Sequence, residues 1–181
     1  MVVILAGVPG AGKTTVIQEA LKEKDMKIVN YGTVMLEIAK EMGVKARDEI
    51  RNLPAEKQRE IQEEAAETIC KMGDVIVDTH CTIKTKEGYL PGLPYAILKK
   101  LNPRLIIIIE AEEKEIIARR AKDENIRERD AEGIEEIREH QMMNRIAAMT
   151  YATLTGATIK IVKNNDGMLE TAAREVAKAL G

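Results

Sequence analysis

Short runs of β-branched residues alternate along the chain with longer segments in which apolar positions recur every three or four residues. This pattern predicts strands separated by amphipathic helices. The strands fall at Val2 to Leu5, Lys27 to Asn30, Val75 to Asp78, Leu105 to Glu110 and Ile159 to Lys163. Helical spacing runs near Lys13 to Glu23, Thr33 to Met42, Ala55 to Met72, Pro94 to Leu101, Glu113 to Ala121, Ile134 to Thr155 and Met168 to Leu180. The run LIIII at 105–109 is apolar on both faces, as expected of a strand in a sheet covered on both sides, so the fold class is parallel α/β. No repeat or low-complexity linker divides the chain, and a single domain is expected. The stretches 31–72 and 120–133 contain no strand of their own and read as lobes carried by that core.

Composition narrows the chemistry. In 181 residues aromatics make up 2%, so the core is aliphatic. A net charge of −2 argues against a nucleic-acid partner, whose sequence-independent affinity needs clustered Lys and Arg. Leu105 to Ile109, the longest apolar run beyond the N-terminus, is far short of a membrane span, and the N-terminus has no basic leader. Cys70 and Cys81 have no C-x-x-C spacing and are expected as buried reduced thiols of a cytoplasmic protein.

The segment GVPGAGKTT at 7–15 carries the first functional signal. Gly7, Gly12, Lys13 and Thr14 match G-x-x-x-x-G-K-[ST], directly after a strand and at the start of a helix, as a phosphate-binding loop requires. Glycines let successive backbone N–H groups converge on phosphate oxygens, the helix N-terminus adds partial positive charge, Lys13 spans the β and γ phosphates, and the Thr14 hydroxyl reaches Mg²⁺. The competing reading is a tight strand-to-helix turn. Asp78 ends VIVD at the carboxyl edge of the third strand, where it can organise the Mg²⁺ shell through water or simply cap the strand end. KNND at 163–166 partly resembles the guanine-reading N-K-x-D signature, but Lys does not follow Asn, and no Gly stands three residues after Asp78. A GTPase is therefore disfavoured; the loop either touches a base edge or N-caps the last helix through Asp166.

GVPGAGKTT, NYGTVM, ARDEIRNL, VDTH, KEGYLPGLP and IRERD, in this order and spacing, resemble the archaeal type of adenylate kinase over nearly the whole chain. The resemblance implies a five-stranded parallel sheet of order 2-3-1-4-5, transfer of the γ-phosphoryl of MgATP to AMP giving two ADP, and a homotrimer. It also implies an ATP loop of Gly7, Val8, Pro9, Gly10, Ala11, Gly12, Lys13, Thr14 and Thr15, and an AMP lobe at 31–72 using Tyr31, Gly32, Thr33 and Arg51. Bacterial relatives follow the strand-ending Asp with Gly-Phe-Pro-Arg, whereas this chain has Thr79, His80 and Cys81, so the AMP-gripping arginine is missing there and His80 or Lys84 is the substitute. The lid at 120–133 has no cysteine, which excludes the four-Cys zinc site and predicts no zinc cofactor. Arg119, Arg127 and Arg129 are expected at the transferring phosphoryl group, whose loose transition state needs pre-placed cations. On the next helix Arg138, Gln141 and Arg145 share a face, and one of the two arginines is expected to complete the clamp, with His140 structural. The alternatives are another P-loop kinase for a different monophosphate or small metabolite, and a nucleotide-binding module with little turnover.

Overall fold

A computed structural model of the chain describes residues 1–22, 24–122 and 133–181. Five strands form a parallel sheet: β1 (Val2–Ala6), β2 (Lys27–Asn30), β3 (Val75–Asp78), β6 (Leu105–Glu110) and β7 (Thr158–Lys163), in the order β2-β3-β1-β6-β7. This is the 2-3-1-4-5 order of the five expected strands. Two further strands, β4 (Thr82–Thr85) and β5 (Gly88–Pro91), form an antiparallel hairpin of their own.

Alternation along the inner strands sorts side chains into two aliphatic cores. Val2, Ile4, Val75, Val77, Ile106 and Ile108 face a layer built by α2 (Tyr31–Glu41), α4 (Ala55–Cys70), α5 (Tyr95–Leu101) and α7 (Ile134–Thr155). Val3, Leu5, Ile76, Ile107 and Ile109 face α1 (Lys13–Ala20), α6 (Glu113–Lys122) and α8 (Leu169–Leu180). Because α1 covers one face and the chain leaves β3 toward α5 on the other, the sheet's topological switch lies between the carboxyl ends of β1 and β3. Open α/β sheets bind ligands in such a crevice.

Several local details set the site. β2 runs straight into α2: Asn30 closes the strand, and its side-chain oxygen accepts from the Thr33 N–H as an N-cap, so the helix begins two residues before the expected Thr33. A single turn, α3 (Arg47–Ile50), joins α2 to α4. The hairpin leaves and re-enters the fold at one point. Gly92 N–H donates to the Cys81 carbonyl at 2.8 Å; the Tyr151 hydroxyl donates to that carbonyl at 2.8 Å and accepts from Leu93 N–H at 3.1 Å. Cys81 is buried as expected, but Cys70, at the end of α4, is exposed. No helix among the described residues is long and apolar enough to cross a membrane.

At the end of β6 the Glu110 carboxylate is only 1% exposed, and it accepts from Arg145 through Nε and Nη2 and from Lys163 Nζ at 2.7 Å. Burial alone would raise its pKa, but the two cations outweigh burial and hold the carboxyl below its ordinary value. A depressed carboxyl contributes stability above its unfolded value, about 4.3, and that contribution is lost as pH falls through the lower folded value. We expect Glu110→Gln to lower stability at neutral pH by about 1–3 kcal/mol. The gap to the wild-type melting temperature should close as the pH drops below about 4. Thermal melts across that range test this, and a gap independent of pH would show that the carboxylate charge is not what stabilises.

Candidate functional site

The loop from β1 to α1 is shaped by what holds its carbonyls. Gly10 and Gly12 take positive φ of 86° and 87°, and Gly12 is the N-cap of α1. A Cβ on Gly12 would sit 2.4 Å from the Asn164 amide nitrogen, so both space and conformation demand glycine. Every carbonyl from Gly7 to Ala11 has a donor. Lys13 Nζ reaches Gly7 O at 3.3 Å, Ala11 N–H closes on Val8 O at 3.2 Å, Arg120 Nε donates to Pro9 O at 2.9 Å, Arg119 Nη1 to Gly10 O at 3.4 Å, and Asn164 Nδ2 to Ala11 O at 2.9 Å. In a planar trans peptide the C=O and N–H point in opposite directions; the Val8–Pro9 peptide has no N–H and Ala11 N–H is spent on Val8 O, so the held peptides offer the N–H groups of Val8, Gly10 and Gly12. Beside the loop lies a cleft of about 280 Å³, lined by Val8, Gly10, Gly12, Lys13, Thr14, Thr15, Arg119 and Arg120, with three cationic side chains and no acid. A second hollow of about 250 Å³ continues from Gly12, Thr15 and Arg119 to the 164–169 segment.

Three of the five donors come from segments remote in sequence. Asn164 follows β7, its N–H donating to Glu110 O at 2.7 Å. Arg119 Nη2 donates to Asn164 O at 2.9 Å and to Asp166 Oδ1 at 2.6 Å, with Glu115 at 3.4 Å. Asp166 thus pairs with Arg119 and does not cap α8, whose N-cap is Met168. Arg120, 7% exposed, was not anticipated, because an ARR pair on a charged helix does not show which guanidinium turns inward.

Across the switch point, Asp78 Oδ1 stands 3.6 Å from Lys13 Nζ, and Asp78 Oδ2 accepts from Asn30 Nδ2 at 3.1 Å. Asn30 and Asp78 are paired in register at the ends of β2 and β3. Thr33 Oγ1 also reaches Asn30 Oδ1, at 3.2 Å, and Tyr31 is buried with its hydroxyl on Gln62 O at 2.8 Å. Beside them lies Arg47, not singled out from the motifs, whose Nη2 donates to Asn30 Oδ1 at 3.2 Å and Thr33 Oγ1 at 3.0 Å. Arg51 is exposed and turns its carbonyl to Gln58. His80 keeps an open surface yet is ringed by protein. This loss of hydration, with Lys13 beside it and against the pull of Asp78, holds the imidazole below its ordinary value and therefore neutral at pH 7.

The α7 face is occupied differently from expectation. Arg145 is bound to Glu110, Gln141 makes paired hydrogen bonds with the Ala111 backbone at 3.2 Å, and Arg138 pairs with Glu113 and Glu135. Neither arginine lines the phosphate cleft. His140 is buried, its ring 5.3 Å from that of Tyr89. Arg127 and Arg129 lie outside the described residues, as does most of 120–133.

A family model described as an AAA domain matches residues 6–138. The adenylate kinase of Methanopyrus kandleri is 58% identical over 99% of this chain and 97% of its own length. The chain belongs to the adenylate kinase family. Adenylate kinases of Methanocaldococcus jannaschii (53% identical; 99% of this chain, 97% of that one) and Thermoplasma volcanium (48%; 98% and 98%) extend the match. Membership makes the protein a phosphotransferase of the P-loop kinase class. The fold is shared more widely: a shikimate kinase structure from Bacteroides thetaiotaomicron aligns with a TM-score of 0.60 at 14% identity, covering 99% of this chain and 98% of that one.

In this adenylate kinase the Asn164 clamp is open to direct test. Asn164→Ala should raise the KM for ATP about five- to thirtyfold, the loss of one or two hydrogen bonds. The KM for AMP should change little. An unaltered KM for ATP would show that the loop keeps its shape without the side chain.

Proposed function

We propose that this adenylate kinase reversibly transfers the γ-phosphoryl of MgATP to AMP, with the Gly7 to Thr15 loop holding ATP and residues 31–72 receiving AMP. The observation that carries the assignment is the glycine-rich loop whose five carbonyls are all held, beside a cleft lined by Lys13, Arg119 and Arg120 and by no acid. Asp78, Asn30 and Thr33 mark the acceptor side of the same lysine. The acceptor is already an ionised phosphate, so the chemistry needs position and charge rather than a general base. Lys13 follows charge from the β,γ-bridge to the moving phosphoryl group. Arg119 stands at the loop, and Arg127 and Arg129 are assigned to close over it with the lid. Arg138, the more exposed of the α7 arginines, is a further lid partner, while Arg145 is committed to Glu110.

Mg²⁺ fits the donors present: the Thr14 hydroxyl and, through water, the Asp78 carboxylate are hard oxygen ligands. Bound there with ATP, it neutralises developing charge on the phosphate oxygens. Zinc has no role in this reading. The homotrimer is the state the family resemblance implies, and an apolar stripe on α7, where Met142, Ile146 and Met149 are 52%, 52% and 61% exposed at helical spacing, offers a surface for self-association. A cytoplasmic setting is supported by the free thiols Cys70 and Cys81.

Two measurements test this reading. Lys13→Ala should keep the melting temperature and lose at least about a thousandfold in kcat, on the scale of a cation at a transferring phosphoryl group; near-normal turnover would remove the loop from the mechanism. In parallel assays with MgATP, AMP should outcompete CMP, UMP, GMP and shikimate, and two adenosines joined by five phosphates should inhibit tightly. Preference for another acceptor would reassign the 31–72 lobe.

A further inference from the structure

Asn30 stands where β2 becomes α2, and its amide is tied in one orientation. Its Oδ1 accepts from Thr33 N–H at 3.1 Å, from Thr33 Oγ1 at 3.2 Å and from Arg47 Nη2 at 3.2 Å. With three donors gathered on the oxygen, Nδ2 must point the other way, and there it donates to Asp78 Oδ2 at 3.1 Å. The register of the sheet puts the two side chains together, since Asn30 and Asp78 are partners across the ends of β2 and β3. Capping α2 uses only the oxygen of Asn30; the NH₂ group is left for the carboxylate.

The other Asp78 oxygen faces Lys13, 3.6 Å from Nζ, with both side chains largely buried. A lysine and a carboxylate that make a charge-assisted hydrogen bond close to about 2.7–2.9 Å. This pair stops short of contact, although opposite charges so near attract and the shelter of the crevice strengthens the pull. Asn30 holds Asp78 by its far oxygen, and the Gly7 carbonyl holds Lys13 on the loop side at 3.3 Å. The separation matters for the chemistry. An ammonium in full contact with a carboxylate is neutralised and turned away from the phosphate oxygens whose charge it has to follow, whereas one held apart keeps its donors for them.

We infer that Asn30 is a positioning residue of phosphoryl transfer: by anchoring Asp78 Oδ2 it keeps the carboxylate from closing on Lys13 and leaves the ammonium to the donor phosphates, a role that rests on the assignment of Lys13 to those phosphates above. The residue that caps a helix on the acceptor side thereby sets the charge available on the donor side. Thr33 and Arg47 contribute by fixing the direction of its amide.

A double-mutant cycle between Asn30 and Asp78 decides it. Asn30→Ser keeps a capping oxygen of equal rank, so the melting temperature should move little, but its hydroxyl ends one bond short of where the amide nitrogen stood. In this variant kcat/KM for MgATP should fall about ten- to a hundredfold, the scale of a hydrogen bond to a charged group. Asp78→Asn lowers activity on its own account. With no carboxylate left to close on Lys13, adding Asn30→Ser to it should cost less than about twofold more. Calorimetry with inorganic tripolyphosphate, which has no base and is used without metal, reads Lys13 apart from turnover. Its affinity should drop at least about threefold in Asn30→Ser and be the same in Asp78→Asn with or without that change. Where Asn30→Ser fails to fold, Asn30→Thr, which caps in the same way, takes its place in both experiments. Equal losses in the two backgrounds, or full activity in the single variant, overturn the inference and leave Lys13 in its role. Near-normal turnover of Lys13→Ala removes that role, and the inference with it.

Discussion

Five backbone carbonyls held on one side of a glycine-rich turn are the constraint on which the site depends. Amides can converge on a phosphate only if something keeps the opposite ends of their peptide planes occupied, because a buried carbonyl without a donor costs about as much as the contact it forgoes. Two donors are local, Ala11 N–H within the loop and Lys13 at the start of α1, and three are gathered from elements distant in sequence: Arg119 and Arg120 from the end of α6, and Asn164 from the loop after β7. They can meet there because β1, β6 and β7 are neighbours in parallel register and end at the same edge. The sheet order thus determines which loops can support the cradle.

Charge along that edge is sorted with the same economy. Glu110 ends β6, the strand paired with β1, so an uncompensated carboxylate there would oppose any phosphate held by the loop. Arg145 and Lys163 cancel it from α7 and β7 and leave Lys13, Arg119 and Arg120 as the charges that face the cleft. Arginines with similar local sequence therefore have different tasks, and the difference is made by which carboxylate the fold brings within reach.

That distinction explains what could be read in advance. The five sheet strands have nearly the expected bounds: in the inner strands burial on both faces leaves an unbroken apolar run, as in Leu105 to Ile109, while the part-exposed edge strands β2 and β7 were legible from their β-branched residues. The loop at 7–15 was legible because its chemistry is contiguous. The order of the strands came from resemblance, not periodicity. The β4–β5 hairpin escaped notice since TIKT and GYLP are short and largely exposed, with no alternation to betray them. Arg47, Arg120 and the Glu110–Arg145 pair escaped for a different reason: each depends on a partner remote in sequence, and spacing within one helix carries no information about it. Asp166 illustrates the same limit, since its position before α8 suggested a cap while Arg119, 47 residues away, claims it.

The β4–β5 hairpin has a closed neck. Cys81 and Leu93 are bridged by one phenol, and Gly92 ties back to Cys81. Chain entering and chain leaving are therefore pinned together before the excursion begins, and beyond the neck Thr82 bonds to Asn144 and Tyr89 lies against His140, which dock the hairpin on α7. Closing a longer loop adds only slowly to its entropic cost. The exposed turn between Thr85 and Gly88 lies beyond these contacts, so a foreign peptide or reporter inserted there leaves β3 and α5 in place.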